Sequence, residues 1–215
     1  MPSGQVAQPA FRIADGRISI PLEFHEFQSL FIVFPKVAAE QTGKAWLWQD
    51  TSKLTAVQQI NGAWNVKFDP NWGGPEEITF NTLQDWSKHP DKRIKYYSGK
   101  AVYHNTFDLN RKRTENESLL LDLGVVKDIC QVWLNGKDLG IVWTAPWQVD
   151  ISDAVKEKGN QLKIEVINLW PNRLIGDAAL PKEQRLTNTN IVFKKTDKLL
   201  PSGLLGPVTI QGLVS

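Results

Sequence analysis

A single cysteine, Cys130, stands among 215 residues, so no disulfide can close within the chain. It lies in an apolar run and reads as a small buried residue. The three histidines, His25, His89 and His104, are far apart and share no ligand spacing. With one cysteine beside them, they offer no set for a zinc or iron–sulfur centre. No window of about 18 apolar residues occurs, so no membrane span is expected. The first ten residues, MPSGQVAQPA, lack a basic stretch followed by an apolar core, and no signal peptide is visible there. Neither sign of charge dominates: 25 basic against 23 acidic residues leave a formal net charge of +2. That balance gives no electrostatic footprint for nucleic acid, and Arg111-Lys112-Arg113 and Lys194-Lys195 read as solvated loops. Long helical periodicity, a Gly-x-Ser-x-Gly elbow and a glycine-rich phosphate loop ahead of a helix are missing as well. Pro201 to Gly206 holds two glycines but reads as a tight turn.

What the chain does have is period-two alternation and nine tryptophans. Phe11–Ala14 and Arg17–Leu22 flank Asp15-Gly16, a dipeptide suited to the positive φ angles of a hairpin. Ser29–Phe34 is a continuous apolar run and reads as a buried strand. Leu54–Ile60 and Ala63–Phe68 flank Asn61-Gly62, a second hairpin signal. Asp69–Pro75 is a loop by composition, and Leu83–His89 has room for one or two helical turns. Ala101, Tyr103, Phe107 and Leu109 share one strand face. Leu119–Leu123 is a strand, and Ile129–Leu134 returns through Asn135-Gly136 into Leu139–Trp143. Ser152 or Asp153 caps a short turn after Asp150. Leu162, Ile164 and Val166 point inward while Lys163 and Glu165 meet water. Asn190–Phe193 and Val208–Gln211 supply the last strands. Many short strands between turn signals point to an all-β sandwich or jelly roll.

Chemistry is harder to find. Glycoside hydrolysis needs two carboxyl groups about 5–10 Å apart across a sugar. Glu76, Glu77, Glu115, Glu117, Asp122, Asp128, Asp150, Asp153 and Glu165 are available, and no spacing marks any two as convergent. Adjacent Glu76 and Glu77 would face opposite ways on a strand. Asp69, Asn71, Asp108, Asp122 and Asp150 are the oxygen donors open to calcium, again without a selecting pattern. The expectation is therefore no catalytic residue and no cofactor, with calcium the alternative. Aromatic rings stacked on sugar C–H faces, with a few fixed polar groups, are the more suggestive set. Trp143, Trp147 and Trp170 lie in or beside loops, as does Trp72. Asn172, Arg173 and Asp177 follow Trp170 directly. Arg173 and Asp177 fit two roles: holding sugar hydroxyls, or pinning their own loop as a salt bridge. Trp46, Trp48, Trp64, Trp86 and the mid-strand Trp133 read as core.

Leu119–Gly124, Val132-Trp-Leu-Asn-Gly-Lys137, Leu139-Gly140, Asp150–Asp153 and Gly159–Val166 resemble the sugar-binding β-sandwich of glycoside hydrolase family 2. Ser29–Phe34, Phe68–Pro75, Tyr96–Tyr103, Trp143–Trp147, Asn168–Asp177 and Pro201–Pro207 extend the likeness, over most of the chain, to the C-terminal region of the α-L-rhamnosidase-like proteins of glycoside hydrolase family 106. The resemblance implies a galactose-binding-domain-like jelly roll over residues 54–215. Residues 1–36 would then be tail strands of a preceding β-domain or an extra β layer, and 37–53 a linker. It also implies a periplasmic or secreted location and a role in polysaccharide breakdown. The expected partners are carbohydrate and the catalytic domain of a larger glycoside hydrolase, whose acids match no position here. Trp143, Trp147, Trp170, Asn172, Arg173 and Asp177 become the expected ligand-binding set. Three roles stand open: a carbohydrate-binding module, a structural domain supporting a catalytic barrel, and a free-standing glycosidase.

Overall fold

The computed structural model describes residues 11–20, 22, 24, 29, 31–34, 54–114 and 117–213. Two antiparallel sheets face each other across one core. The larger has six strands, in the order β10(Lys137–Val142)-β9(Ile129–Leu134)-β12(Asn160–Ile167)-β6(Lys100–Phe107)-β4(Trp64–Phe68)-β5(Ile78–Phe80). The smaller has four, in the order β11(Gln148–Asp150)-β7(Ser118–Asp122)-β14(Thr209–Leu213)-β3(Thr55–Gln59). A short pair, β13(Gly203–Gly206) with β8(Val125–Lys127), lies beside them. This is an all-β sandwich.

Side-chain alternation builds the core. Ala101, Tyr103 and Phe107 of β6 face Leu162, Ile164 and Val166 of β12 along one antiparallel ladder, and all six are buried. Leu119 and Leu121 of β7 and Ile210 of β14 close the core from the other sheet. One end is aromatic: Trp64, Phe68, Phe80, Trp86, Tyr97 and Tyr103 are all buried there. Trp86 stacks on Tyr103 with an interplanar angle of 10°. Its indole N–H donates to Tyr103 Oη at 2.6 Å, which satisfies a donor that would be costly to bury alone. Burial pushes the Tyr103 hydroxyl far above its ordinary value. Cys130 is likewise buried, and its thiol is pushed up to about 12.

The Asn135-Gly136 hairpin forms as its dipeptide dictates, with φ of 54° and 82° at the two residues. Asp15-Gly16 does the same between β1(Arg12–Ala14) and β2(Arg17–Ser19). Asn61-Gly62 does not. β3 pairs with β14 and β4 with β5 and β6, so this dipeptide carries the chain from one sheet to the other. The reason is burial: Ile60 enters the core from one side and Trp64, Val66 and Phe68 from the other. A local turn would have left one set in water.

Other expectations are corrected too. Phe31 to Phe34 form no strand and are exposed, Phe31 at 80% and Val33 at 77%. No strand among the described residues pairs with this run, and an apolar run alone cannot enclose a core. Asn190–Phe193 is not a strand, whereas Gly203–Gly206, read as a turn, is one. Gly203 has a φ of +98° and passes over the Trp86 indole, where a Cβ would lie 2.5 Å from Cε2. Only glycine permits that approach. The turn after Asp150 is capped by the Asp150 carboxylate, which accepts from the Ser152 N–H at 2.8 Å, not by Ser152 or Asp153. Trp133 faces outward, half-buried under the Lys163 ammonium 4.0 Å from its ring centre. The proposed linker 37–53, with Trp46 and Trp48, lies outside the described residues.

Candidate functional site

The segment after β12, read as a loop, is an eight-residue helix, α1(Pro171–Ala178). Pro171 occupies its first turn, where the missing N–H costs nothing and φ is already helical. Side chains from distant parts of the fold seat it. Asn168 Nδ2 donates to the Tyr97 carbonyl and its Oδ1 accepts from the Gly99 N–H, each at 2.9 Å. Ser98 Oγ donates to the Leu169 carbonyl at 2.8 Å and accepts from the Arg173 N–H at 3.1 Å. A Cβ at Gly176 would lie 2.7 Å from Tyr96 Cβ, so glycine lets the helix approach.

Three expected ligand residues turn inward on this helix. Asn172 donates to the Leu200 carbonyl and to Ser202 Oγ, and accepts from the Leu200 N–H, at 2.7, 2.9 and 2.8 Å. Arg173 and Asp177 form an i,i+4 ion pair at 3.2 Å, with side chains only 8% and 3% exposed. The pair is close but off-line: Arg173 Nε and Asp177 Oδ1 make no hydrogen bond. Asp177 Oδ2 accepts from the Thr187 N–H at 2.8 Å and from its hydroxyl at 2.6 Å. Asn172 and Asp177 thus tie α1 to the segments around Leu200 and Thr187. Trp143 stands 45% exposed beyond β10, and Trp147 packs half-buried against the core. Neither borders the cleft at Trp170.

That cleft is formed by parts the sequence did not bring together. Trp170, 49% exposed, meets Trp72 edge to face, ring centres 5.2 Å apart at 74°. Trp72 sits in a short 3₁₀ turn capped by the Asp69 carboxylate on the Asn71 N–H, and Gly73 ends the turn with φ of +75°. Leu174, Leu186, Thr187, Asn188, Thr189 and Ile191 complete a cavity of about 370 Å³. By composition Asp69–Pro75 reads as a loop, and within it Trp72 sits in this short ordered turn. No pattern in residues 186–191 marked them as a wall.

Six of the nine candidate acids, Glu77, Glu117, Asp122, Asp150, Asp153 and Glu165, have polar partners of their own, and Glu115 lies outside the described residues. Glu117 is buried against the Arg111 guanidinium, which holds its carboxyl below the usual range. Glu77 is held low by Asn65 and Lys67, and Asp153 meets Lys137 at 3.7 Å. Glu165 contacts Lys163 and Lys100 at 3.0 and 3.4 Å. Asp122 accepts from the Gly124 N–H and from Gln148 and Gln211. Burial raises Asp128. The expected calcium donors are similarly used: Asp69, Asp108 and Asp150 each accept from a backbone N–H. Among the described residues no three His, Cys, Asp or Glu side chains cluster as a metal would need. His104 lies across the outer sheet face, its pKa lowered by partial burial and by Lys67 and Lys163.

Two facing antiparallel sheets of this kind are the architecture of the galactose-binding-like class of β-domains. A family profile described as glycosyl hydrolase 2 galactose-binding domain-like matches residues 82–196, more than half of the chain, and the protein belongs to that family. The structure of a rhamnosidase from Novosphingobium sp. PP1Y superposes with a TM-score of 0.78 at 38% identity, over 94% of this chain and 19% of that one. A Formosa agariphila protein bearing a beta-glucuronidase name is 40% identical over 180 residues, 72% of this chain and 16% of that protein. A Ruminococcus gnavus beta-glucuronidase shares the fold at 20% identity, with a TM-score of 0.54, over 75% of this chain and 28% of that one. The chain thus spans under a fifth of the first two relatives, and no helix among the described residues is long and apolar enough to cross a membrane.

Proposed function

We propose that the chain acts as a non-catalytic module of a rhamnosidase-like glycoside hydrolase, contacting carbohydrate while another domain performs the chemistry. The observation that carries this reading is the near-complete match of the chain to a small segment of a rhamnosidase, 94% of one against 19% of the other. The six engaged acids agree with it: carboxyl groups held by arginine, lysine, amide side chains and backbone N–H groups are poor candidates for a proton-transfer pair. Export to the periplasm or medium and a part in polysaccharide breakdown follow from the same reading, as does the division at residue 54.

A second role, propping a catalytic barrel, is favoured by apolar side chains around α1. Leu169, Ile191 and Val192 are 52%, 61% and 87% exposed, and such patches mark contact surfaces. Calorimetric titration against rhamnose-, galactose- and uronate-containing glycans separates the two. Saturable binding supports the first role. No binding, together with loss of solubility or activity when the domain is deleted from a longer parent, leaves only the second. Release of nitrophenol from aryl glycosides by the purified chain, abolished by one Asp or Glu substitution, would overturn both.

A further inference from the structure

We infer that the cleft between Trp72 and Trp170 is the saccharide site, that it takes a neutral pyranose, and that the buried Asp177 positions its Thr187 wall. The inference rests on the carbohydrate-contacting role proposed above; of the six expected ligand residues it keeps Trp170 on the cleft and leaves out Trp143 and Trp147.

Two indoles set at 74° give one ring face for stacking on pyranose C–H groups and a second ring against the sugar's edge. The cavity of about 370 Å³ lies near the lower end of small-ligand clefts, roughly 300–1,000 Å³, which suits a terminal sugar. The polar lining is neutral: Thr187, Asn188 and Thr189. Thr189 Oγ1 accepts from the Ile191 N–H at 3.1 Å, so its own proton is free to donate. Among the described residues no charged side chain lines the cavity. Arg173 is not among the lining residues; its Nη1 lies 3.5 Å from where a Cβ on Gly73 would stand, and its charge is met by Asp177. A uronate carboxylate would therefore enter an apolar cleft without a counter-ion, a costly transfer. Asp177 acts through Thr187. By accepting both the N–H and the hydroxyl of Thr187, it holds the wall that carries the polar groups and leaves that hydroxyl oxygen as an acceptor.

The test is a titration of the whole chain with the methyl glycosides of L-rhamnose, D-galactose and D-glucuronate, read from tryptophan indole NMR signals. At least one neutral glycoside is expected to move the Trp72 and Trp170 signals and leave those of the buried Trp64 and Trp86 in place. Affinity should fall roughly tenfold or more in Trp170→Ala and Trp72→Ala and stay unchanged in Trp143→Ala. Thr187→Val, which loses one of two donors to the buried Asp177, should melt a few degrees below the wild type and bind about fivefold more weakly, and Thr187→Ser should restore both. Binding lost in Trp143→Ala but kept in Trp170→Ala would overturn the site and leave the carbohydrate role standing. Tighter binding of the glucuronide would overturn the neutral-sugar assignment. Equal weakening by Val and Ser would overturn the role of Thr187. A folded chain that binds none of the three overturns this site and the carbohydrate role together.

Discussion

Replacing Asp177 by alanine should destabilise the domain far more than a surface change would. Arg173 and Asp177 are 8% and 3% exposed, so the substitution strands a guanidinium away from water. It also removes the acceptor for two Thr187 donors. Breaking a buried pair on one side costs about 3–5 kcal/mol. The 3.2 Å contact is poorly aligned, without a directed hydrogen bond between Arg173 Nε and Asp177 Oδ1, which places the loss near the lower end, about 3 kcal/mol. A domain of this size loses roughly 2–4 °C of Tm per kcal/mol, so a fall of about 6–12 °C is expected. Thermal unfolding at pH 7, followed by tryptophan fluorescence, measures it. The double change Arg173→Met/Asp177→Leu removes the charge with its partner and should recover part of the loss, leaving the Thr187 donors unpaired. If Asp177→Ala melts within 2 °C of the wild type, or the double variant is worse than the single one, the pair is not the pin that its burial implies.

The Arg111–Glu117 pair should govern acid stability. The guanidinium depresses the folded carboxyl below its ordinary 4.5, so its contribution is present above that pH and is lost as pH falls through the folded value. Urea unfolding from pH 7 to pH 3 should show a steeper acid loss in the wild type than in Glu117→Gln, which starts less stable and varies less with pH. Gly203→Ala should cost about 3 kcal/mol, because its Cβ would press on the Trp86 indole from a backbone φ of +98°. A melting curve within 2 °C of the wild type would contradict that contact. Cys130, buried and with its thiol pushed up to about 12, should resist Ellman's reagent at pH 8 until the chain is unfolded in guanidinium.

Most strands were legible because a strand's pattern is local. Alternation along Asn160–Ile167 and Lys100–Phe107 needs no knowledge of the partner, and Asn135-Gly136 carries its own positive φ angles. Chain continuity also explains the misreadings. Asn61-Gly62 has a hairpin's composition but joins two sheets, since burying Ile60 and Trp64 from opposite sides outweighs a local turn. Leu169–Ala178 lacked the length of a helix that would declare itself, and α1 forms because Asn168, Asn172, Ser98 and Asp177 bind distant backbone. The tryptophans raised the expectation of a sugar-contacting surface without saying which of them would meet. Trp72, Trp170 and Thr187 come from three separate segments, and only packing of α1 against the 181–200 segment makes them one cleft. Sequence alone thus determined the β-architecture and the inward faces, which follow from local periodicity. The cleft, and the inward turn of Asn172, Arg173 and Asp177, were decided by long-range contacts that no local pattern encodes.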